Sequence, residues 1–492
     1  MSEKLYIGWA ERDITPDMEK YSIGLYGQYY ARIAKGIHSR LKFSVCAMSS
    51  GSESFISGTV DVAGVPLAFT NLLKEEVAKR NAGIDVSRIF LNAIHTHSAP
   101  SLNVSMNYKR SVGGTMWQQG EFAKTISPAE YAELVLPIMA DAIVEAWSTR
   151  KEGGIARGFD YARIGHCRRA AYTDGTAEMY GDTTRPDFVA MEAGEDSGVD
   201  MLFTLDKEGK KTGIILNVAC PSQVMESTYV VSSDFAGATR ELLKEDFGPD
   251  FHTLYWISPA GCQSPRDLVR HYTTEPDFWH ADGVPVLAKR LRDAVMRAEL
   301  EPAEYTPVFK STVMPVALPR RRASYTDYRA AKAELARLEA IQPEAEAFAD
   351  FCAETHANEK IDGPGPYDSK LHHFVLIKNA KAVITRYEEQ DEQPDIHFDM
   401  NVIRLGDIAI ANNPFELYLH YGQIIKARSH ARQTFLIQLA VGADLHAGYL
   451  PSPEGEKLGG YGGLIINGQV GSDGGYKLAD RTVEEINKLF ED

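Results

Sequence analysis

The stretch Ile89-Phe90-Leu91-Asn92-Ala93-Ile94-His95-Thr96-His97-Ser98-Ala99-Pro100 sets an apolar, strand-like run directly against a polar turn that carries two histidines. Residues two apart on a strand point the same way. His95 and His97 are therefore placed either to converge on one ligand or to divide into a metal ligand and a proton shuttle. Working outward, residues 55–60, 212–219 and 252–257 are also short, rich in β-branched and apolar residues, and end in polar loops containing Gly or Pro. Between them, residues 128–149 and 325–355 carry apolar side chains at three- and four-residue intervals in good helix-forming company, and both are expected as helices. This alternation predicts an α/β fold with mixed β-sheets flanked by helices. Residues 356–398 are richer in Gly, Pro, Asp and His and read as irregular. Residues 400–410 read as a strand returning to the core, and 482–490 as a closing amphipathic helix. The whole of 1–492 is expected as one body with a helical and irregular insertion at about 301–398, its helical part near 320–355.

Composition narrows the function. The 492 residues are 44% hydrophobic and 24% charged, ordinary globular usage. Lys plus Arg number 52 against 68 Asp plus Glu, a net charge of −16, which argues against nucleic acid and anionic lipid as partners. No stretch approaches the length of an apolar membrane span, and the N-terminal residues lack the apolar core of a secretion signal, so a cytoplasmic location is expected. Five scattered cysteines without CxxC spacing indicate neither a disulfide framework nor a thiolate zinc finger. The run Arg320-Arg321-Arg322 is too short to imply nucleic acid, and either binds a carboxylate or pairs with the acidic patch Glu388-Glu389-Gln390-Asp391-Glu392. His271 and His280 sit among polar residues and read as solvated.

A second constellation, Ser258-Pro259-Ala260-Gly261-Cys262-Gln263-Ser264-Pro265-Arg266-Asp267, follows the run 252–257. A serine in such a constrained turn at a strand end is either a local backbone hydrogen-bonder or a nucleophile activated by a base or a metal. Cys262 is the rival nucleophile.

Taken in order, a set of short motifs resembles the neutral/alkaline non-lysosomal ceramidases and their shorter bacterial relatives, which are zinc-dependent amidohydrolases. These motifs are Asp13-Ile14-Thr15-Pro16, Gly36-Ile37-His38, His95-Thr96-His97-Ser98, Cys167-Arg168-Arg169, Asn217-Val218-Ala219-Cys220, Ser233-Asp234, Gly261 to Pro265, Pro414-Phe415-Glu416, and Ala447-Gly448-Tyr449-Leu450-Pro451. The resemblance implies a ceramidase catalytic-domain-like fold without the extra C-terminal β-sandwich of true ceramidases. It makes His95, Glu416 and Tyr449 zinc ligands, His97 a residue facing nucleophile and substrate and shuttling the proton, Ser264 or a metal-bound water the attacking group, and Arg168 the group that orients the substrate. His38, Arg169 and Gln263 become substrate contacts. The relatives' second zinc histidine falls at Pro221, which has no side-chain donor; Cys220, Gln223 and His446 are the candidate replacements. The implied function is a metal-assisted hydrolase of an amide or related acyl bond, ester or lactone; with neither a secretion signal nor an evident membrane-docking surface, the expected substrate is a small polar metabolite rather than ceramide. Two alternatives stand beside it. One is a metal-free or degenerate small-molecule-binding member, and the other a non-acyl, glycosidase-like hydrolase using paired carboxylates such as Asp234 and Glu416.

Overall fold

The structure is a computed structural model that describes residues 3–26, 32–104, 122–270, 276, 278–358 and 371–491. His271 lies outside the described residues. Strand Lys42–Ser50 shows why the sheets form: Cys46 and Met48 enter one core while Val45 and Ala47 enter another, since successive side chains of a strand face opposite sides. Eight strands make the larger sheet, in the order His252–Ile257, Lys211–Val218, Gly198–Asp206, Lys151–Tyr161, Tyr6–Asp13, Lys42–Ser50, Glu53–Val60 and Ile89–Ala93. Both outer pairs are parallel and the inner pairs antiparallel. The helices Leu67–Lys79 and Asp234–Phe247 make the parallel crossovers. The sheet is curved enough for its edges to meet: Asn92 Nδ2 donates to the carbonyl of Tyr255 at 3.0 Å, and Trp256 Nε1 to Ser57 Oγ at 3.2 Å.

A four-stranded sheet, Phe309–Pro319, Asp395–Leu405, Ile408–Asn412 and Gln433–Ile437 in that order, packs onto the first. Their shared core contains Trp256, Phe90, Phe309 and Phe435, with Trp256 and Phe435 edge to face at 6.2 Å. Helix Pro128–Ser148 starts at a reciprocal Ser127–Glu130 cap and covers an outer face of the large sheet. The closing helix Ser472–Leu489 covers the small sheet through Leu478, Val483 and Ile486.

Three expectations change. The expected helix 325–355 is two helices, Tyr325–Ile341 and Glu344–Asn358, because the chain breaks at Gln342-Pro343, where proline cannot continue a helix. The region read as irregular contains a third helix, His373–Glu389, whose Phe374, Val375 and Ile377 join Leu338, Ala347 and Phe351 in a small separate core. The returning strand begins earlier, at Asp395, and turns at Gly406-Asp407 into Ile408–Asn412. Arg322 does pair with the acidic patch, its guanidinium lying 2.6 Å from Asp391. Among the described residues no helix is long and apolar enough to cross a membrane.

Candidate functional site

Four strand ends meet at one place. The amide of Ser222 donates to the carbonyl of Ile94, that of Ser258 to Val218, that of Gly261 to Leu417 and that of Gln438 to Ile257, all within 3.0 Å. Glu416 and Tyr449 are brought alongside by a short parallel pairing, Glu416 with Tyr449 and Leu417 with Leu450. Gly261 is required there, since a Cβ on it would lie 2.3 Å from the carbonyl oxygen of Glu416.

His95 and His97 do converge, but not through strand alternation. The strand stops at Ala93, and His95 takes a left-handed conformation with φ of +64°, rare for a residue with a Cβ. Its amide donates to Val62 and its Nδ1 to the carbonyl of Ala63, so both backbone and ring are pinned. That leaves the Nε2 lone pair facing His97 Nε2 at 3.3 Å and Glu416 Oε2 at 3.6 Å. His97 Nε2 accepts from the Gln223 amide at 2.9 Å, while Gln223 Oε1 accepts from Arg168 at 3.1 Å. On its other side His97 Nδ1 faces Glu226 at 3.3 Å. Burial pushes both imidazoles down, His97 well below the usual histidine range with help from nearby His95, Arg32 and Arg168. Burial also raises the Glu226 carboxyl to about 7, against the pull of Arg168 and the Tyr180 hydroxyl.

Arg168 is fully buried and gathers the site. Its guanidinium donates to the carbonyl of Gly261 at 3.1 Å, to the Tyr180 hydroxyl at 3.2 Å and to that of Tyr449 at 3.4 Å, and lies 3.5 Å from Glu416 Oε2. The Tyr180 hydroxyl in turn donates to Glu226 at 3.1 Å. Buried Arg32 donates to the main-chain carbonyl of His97 and to that of Thr228.

The other sequence candidates lie as follows. Ser264 is buried, and its hydroxyl accepts from the amide of Arg266 at 3.2 Å and donates to the same residue's carbonyl at 3.4 Å; among the described residues no base reaches it. Gln263 donates to the carbonyl of Gly194, and Arg169 pairs with buried Glu192 at 2.6 Å while holding the carbonyls of Gly459 and Tyr461. Both thus have protein partners in the structure. His38 bonds Ser232 Oγ at 3.2 Å. The Cys220 thiol turns toward the carbonyls of Ile164 and Pro221, and burial keeps it far above the usual thiol range. His446 is exposed and close enough to feel the charge of Glu416. Asp234 accepts from the amides of Met225 and Phe235 at 2.7 Å, so it anchors a loop rather than pairing with Glu416 as a second carboxylate. Glu226, Tyr180 and Arg32 escape sequence reasoning because they sit in loops or on a two-residue strand, where no periodicity marks them.

Whether these residues fit a metal can be asked of the donors themselves. Among the described residues no group of three His, Cys, Asp or Glu side chains surrounds one point. The His95 Nε2 lone pair and the Glu416 carboxylate do face one another, whereas the His97 Nε2 lone pair accepts from Gln223. The 3.6 Å between His95 Nε2 and Glu416 Oε2 suits two ligands of one zinc with bonds of about 2 Å. The Tyr449 hydroxyl, 3.4 Å from the same Arg168 guanidinium that faces Glu416, is the further oxygen donor beside them.

No family model and no curated protein matches the sequence. Among solved structures, the chain is similar to the neutral ceramidase from Pseudomonas aeruginosa, at 15% identity and a TM-score of 0.66, over 99% of this chain and 75% of that one. It is also similar to a ceramidase complexed with C2, at 14% identity and a TM-score of 0.69, over 99% and 76%. The ceramidase fold, mixed sheets with flanking helices, is shared over nearly the full chain.

Proposed function

We propose that the protein is a hydrolase of an amide or related acyl bond, ester or lactone, in a small polar metabolite, assisted by a divalent ion. The observation that carries this reading is the convergence of His95 Nε2, His97 Nε2 and Glu416 Oε2 beside Tyr449 and Arg168 at strand ends of a ceramidase fold. His95, Glu416 and Tyr449 would hold the ion, and zinc, which takes nitrogen and oxygen donors, is the favoured metal. Such an ion, when bound, polarises a carbonyl and eases the ionisation of water.

The rest of the work falls to the chain. His97, whose buried imidazole is held well below the usual histidine range, would take up a proton at Nε2 in exchange for the Gln223 amide, and is oriented by Glu226 at Nδ1. Arg168 holds the Glu416 carboxylate in place and, by binding Gln223, Tyr180, Tyr449 and the carbonyl of Gly261, fixes the polar groups that would orient the substrate. Because the Ser264 hydroxyl is committed to Arg266, water is the attacking group in this reading.

Elemental analysis of protein purified without chelators should find close to one zinc or similar ion per chain. A panel of N-acyl, ester and lactone compounds should include one that is turned over in a chelator-sensitive way. No metal together with no turnover would sink the proposal. A second reading has its own observation: Arg168 already supplies a cation to Glu416 and Tyr449, as a metal-free binding member of the fold would need. Tight binding of a panel compound by metal-free protein, without turnover, would favour it.

A further inference from the structure

From the site outward runs a line of alternating cations and rings. Tyr180 and Trp279 stand edge to face, centroids 4.8 Å apart and planes at 89°. Each ring carries a guanidinium, Arg168 at 5.7 Å from the Tyr180 centroid and Arg266 at 4.4 Å from that of Trp279. The two arginines differ in what balances them. Arg168 faces Glu416, whereas among the described residues no carboxylate lies within ion-pair distance of the half-buried Arg266. Its neighbour Asp267 is turned away, accepting from the amides of Val269 and Arg270 and lying 3.3 Å from the Arg270 guanidinium and 3.8 Å from His166.

Both members of the outer pair are held in place. The Ser264 hydroxyl clasps the amide and carbonyl of Arg266, and the Ser227 hydroxyl donates to the carbonyl of Trp279 at 3.3 Å, one residue after Glu226. A buried indole under a guanidinium removes water from one face of the cation and leaves its planar fork of N–H donors to bond in the plane. In a chain of net charge −16, a cation without a carboxylate partner among the described residues, one ring pair away from the proposed site, has a chemical preference. It matches a carboxylate, which accepts two parallel N–H bonds.

We infer that Arg266, backed by Trp279, binds a carboxylate on the substrate, and that the substrate class is acyl compounds carrying one, such as N-acyl amino acids. The inference names the substrate of the proposed hydrolase and so rests on that reading for its biological sense, but the binding it asserts is measurable without turnover. Calorimetry on the full chain would compare N-hexanoyl-glycine, -leucine and -phenylalanine with their primary amides, in the wild type, Arg266→Gln and Arg266→Lys. The expected result is at least one acid bound tenfold or more tightly than its amide, with the difference abolished in Arg266→Gln and partly kept in Arg266→Lys. An acid–amide difference absent from the wild type, one that survives Arg266→Gln, or no binding of any compound would overturn the inference. Turnover reports separately. A preference for the acid with neither compound hydrolysed sinks the hydrolase reading and leaves the Arg266 site standing. Hydrolysis of both with equal Kd and KM sinks the Arg266 site and leaves the hydrolase.

Discussion

His95 and His97 are neighbours in sequence with different surroundings, and the difference is testable. His95 Nε2 faces Glu416 with its other nitrogen tied to Ala63, whereas His97 is held between Gln223 and Glu226. His95→Ala should therefore purify with little metal, while His97→Ala should keep its metal and lose rate by about a hundredfold or more, the usual worth of a general base. Equal metal loss in both, read by elemental analysis, would make the pair a shared ligand set. Glu226 makes a second prediction. Its carboxyl titrates near 7 in the folded protein against an ordinary 4.5. The native state thus holds the proton more tightly than the unfolded state, and this residue's contribution to stability falls as pH rises from about 4.5 to about 7. Glu226→Gln removes that loss and should be more stable than the wild type at pH 8, by up to about 3 kcal/mol, with little difference at pH 4. Urea denaturation at the two pH values checks it; a variant less stable at pH 8 would show that the ionised carboxylate is needed to balance Arg168 and Arg32. At Ser264 the hydroxyl's two bonds to Arg266 predict that Ser264→Ala keeps kcat within about threefold. A loss of a thousandfold would restore it as the nucleophile.

Among the elements, the three helices Tyr325–Ile341, Glu344–Asn358 and His373–Glu389 share a core of their own, built on Leu338, Phe351, Phe374 and Ile377 and touched from outside by Ile33. Such a unit can open without the sheets. Phe351→Ala, costing about 3 kcal/mol or more as a buried aromatic truncation, should abolish slow amide exchange in these helices while leaving Lys211–Val218 protected. Uniform loss across both would mean one cooperative unit. These elements also show what can be read from sequence. Strand His252–Ile257 stands where its apolar, β-branched run predicts, because a strand buried on both faces has little else to encode. Helix His373–Glu389 was hidden by the preceding Gly363-Pro364-Gly365-Pro366, which dominates any window that includes it. The site divides likewise. His95, His97, Arg168, Glu416 and Tyr449 carry motifs and do come together. Glu226 meets His97 only because the large sheet curves until its edges touch, a long-range fact that no local pattern records.

At the scale of the molecule, the proposed ligands come from both sheets: His95 follows a strand of the large one, and Glu416 follows strand Ile408–Asn412 of the small one. An ion held between them would bind only the assembled pair, so its removal should lower the melting temperature. At a free metal concentration a hundred times Kd the stabilisation is about 2.7 kcal/mol. Calorimetric scans before and after chelation, with zinc added back, measure this; identical scans would mean that no ion spans the sheets. The other long-range join is the pairing of Phe309–Pro319 with Asp395–Leu405, which runs unbroken from Phe309 opposite Leu405 to Pro319 opposite Asp395. The chain leaves the sheet at Pro319 and returns to the adjacent position at Asp395, with the three helices strung between. Closing a loop of that length by random search is slow, and the closure entropy must be met before any strand contact repays it. Helices that form locally and pack on one another shorten the effective tether first. An excursion that packed on itself early would hold the two strands near their register, so Phe351→Ala is expected to slow refolding of this sheet as well, read by stopped-flow fluorescence.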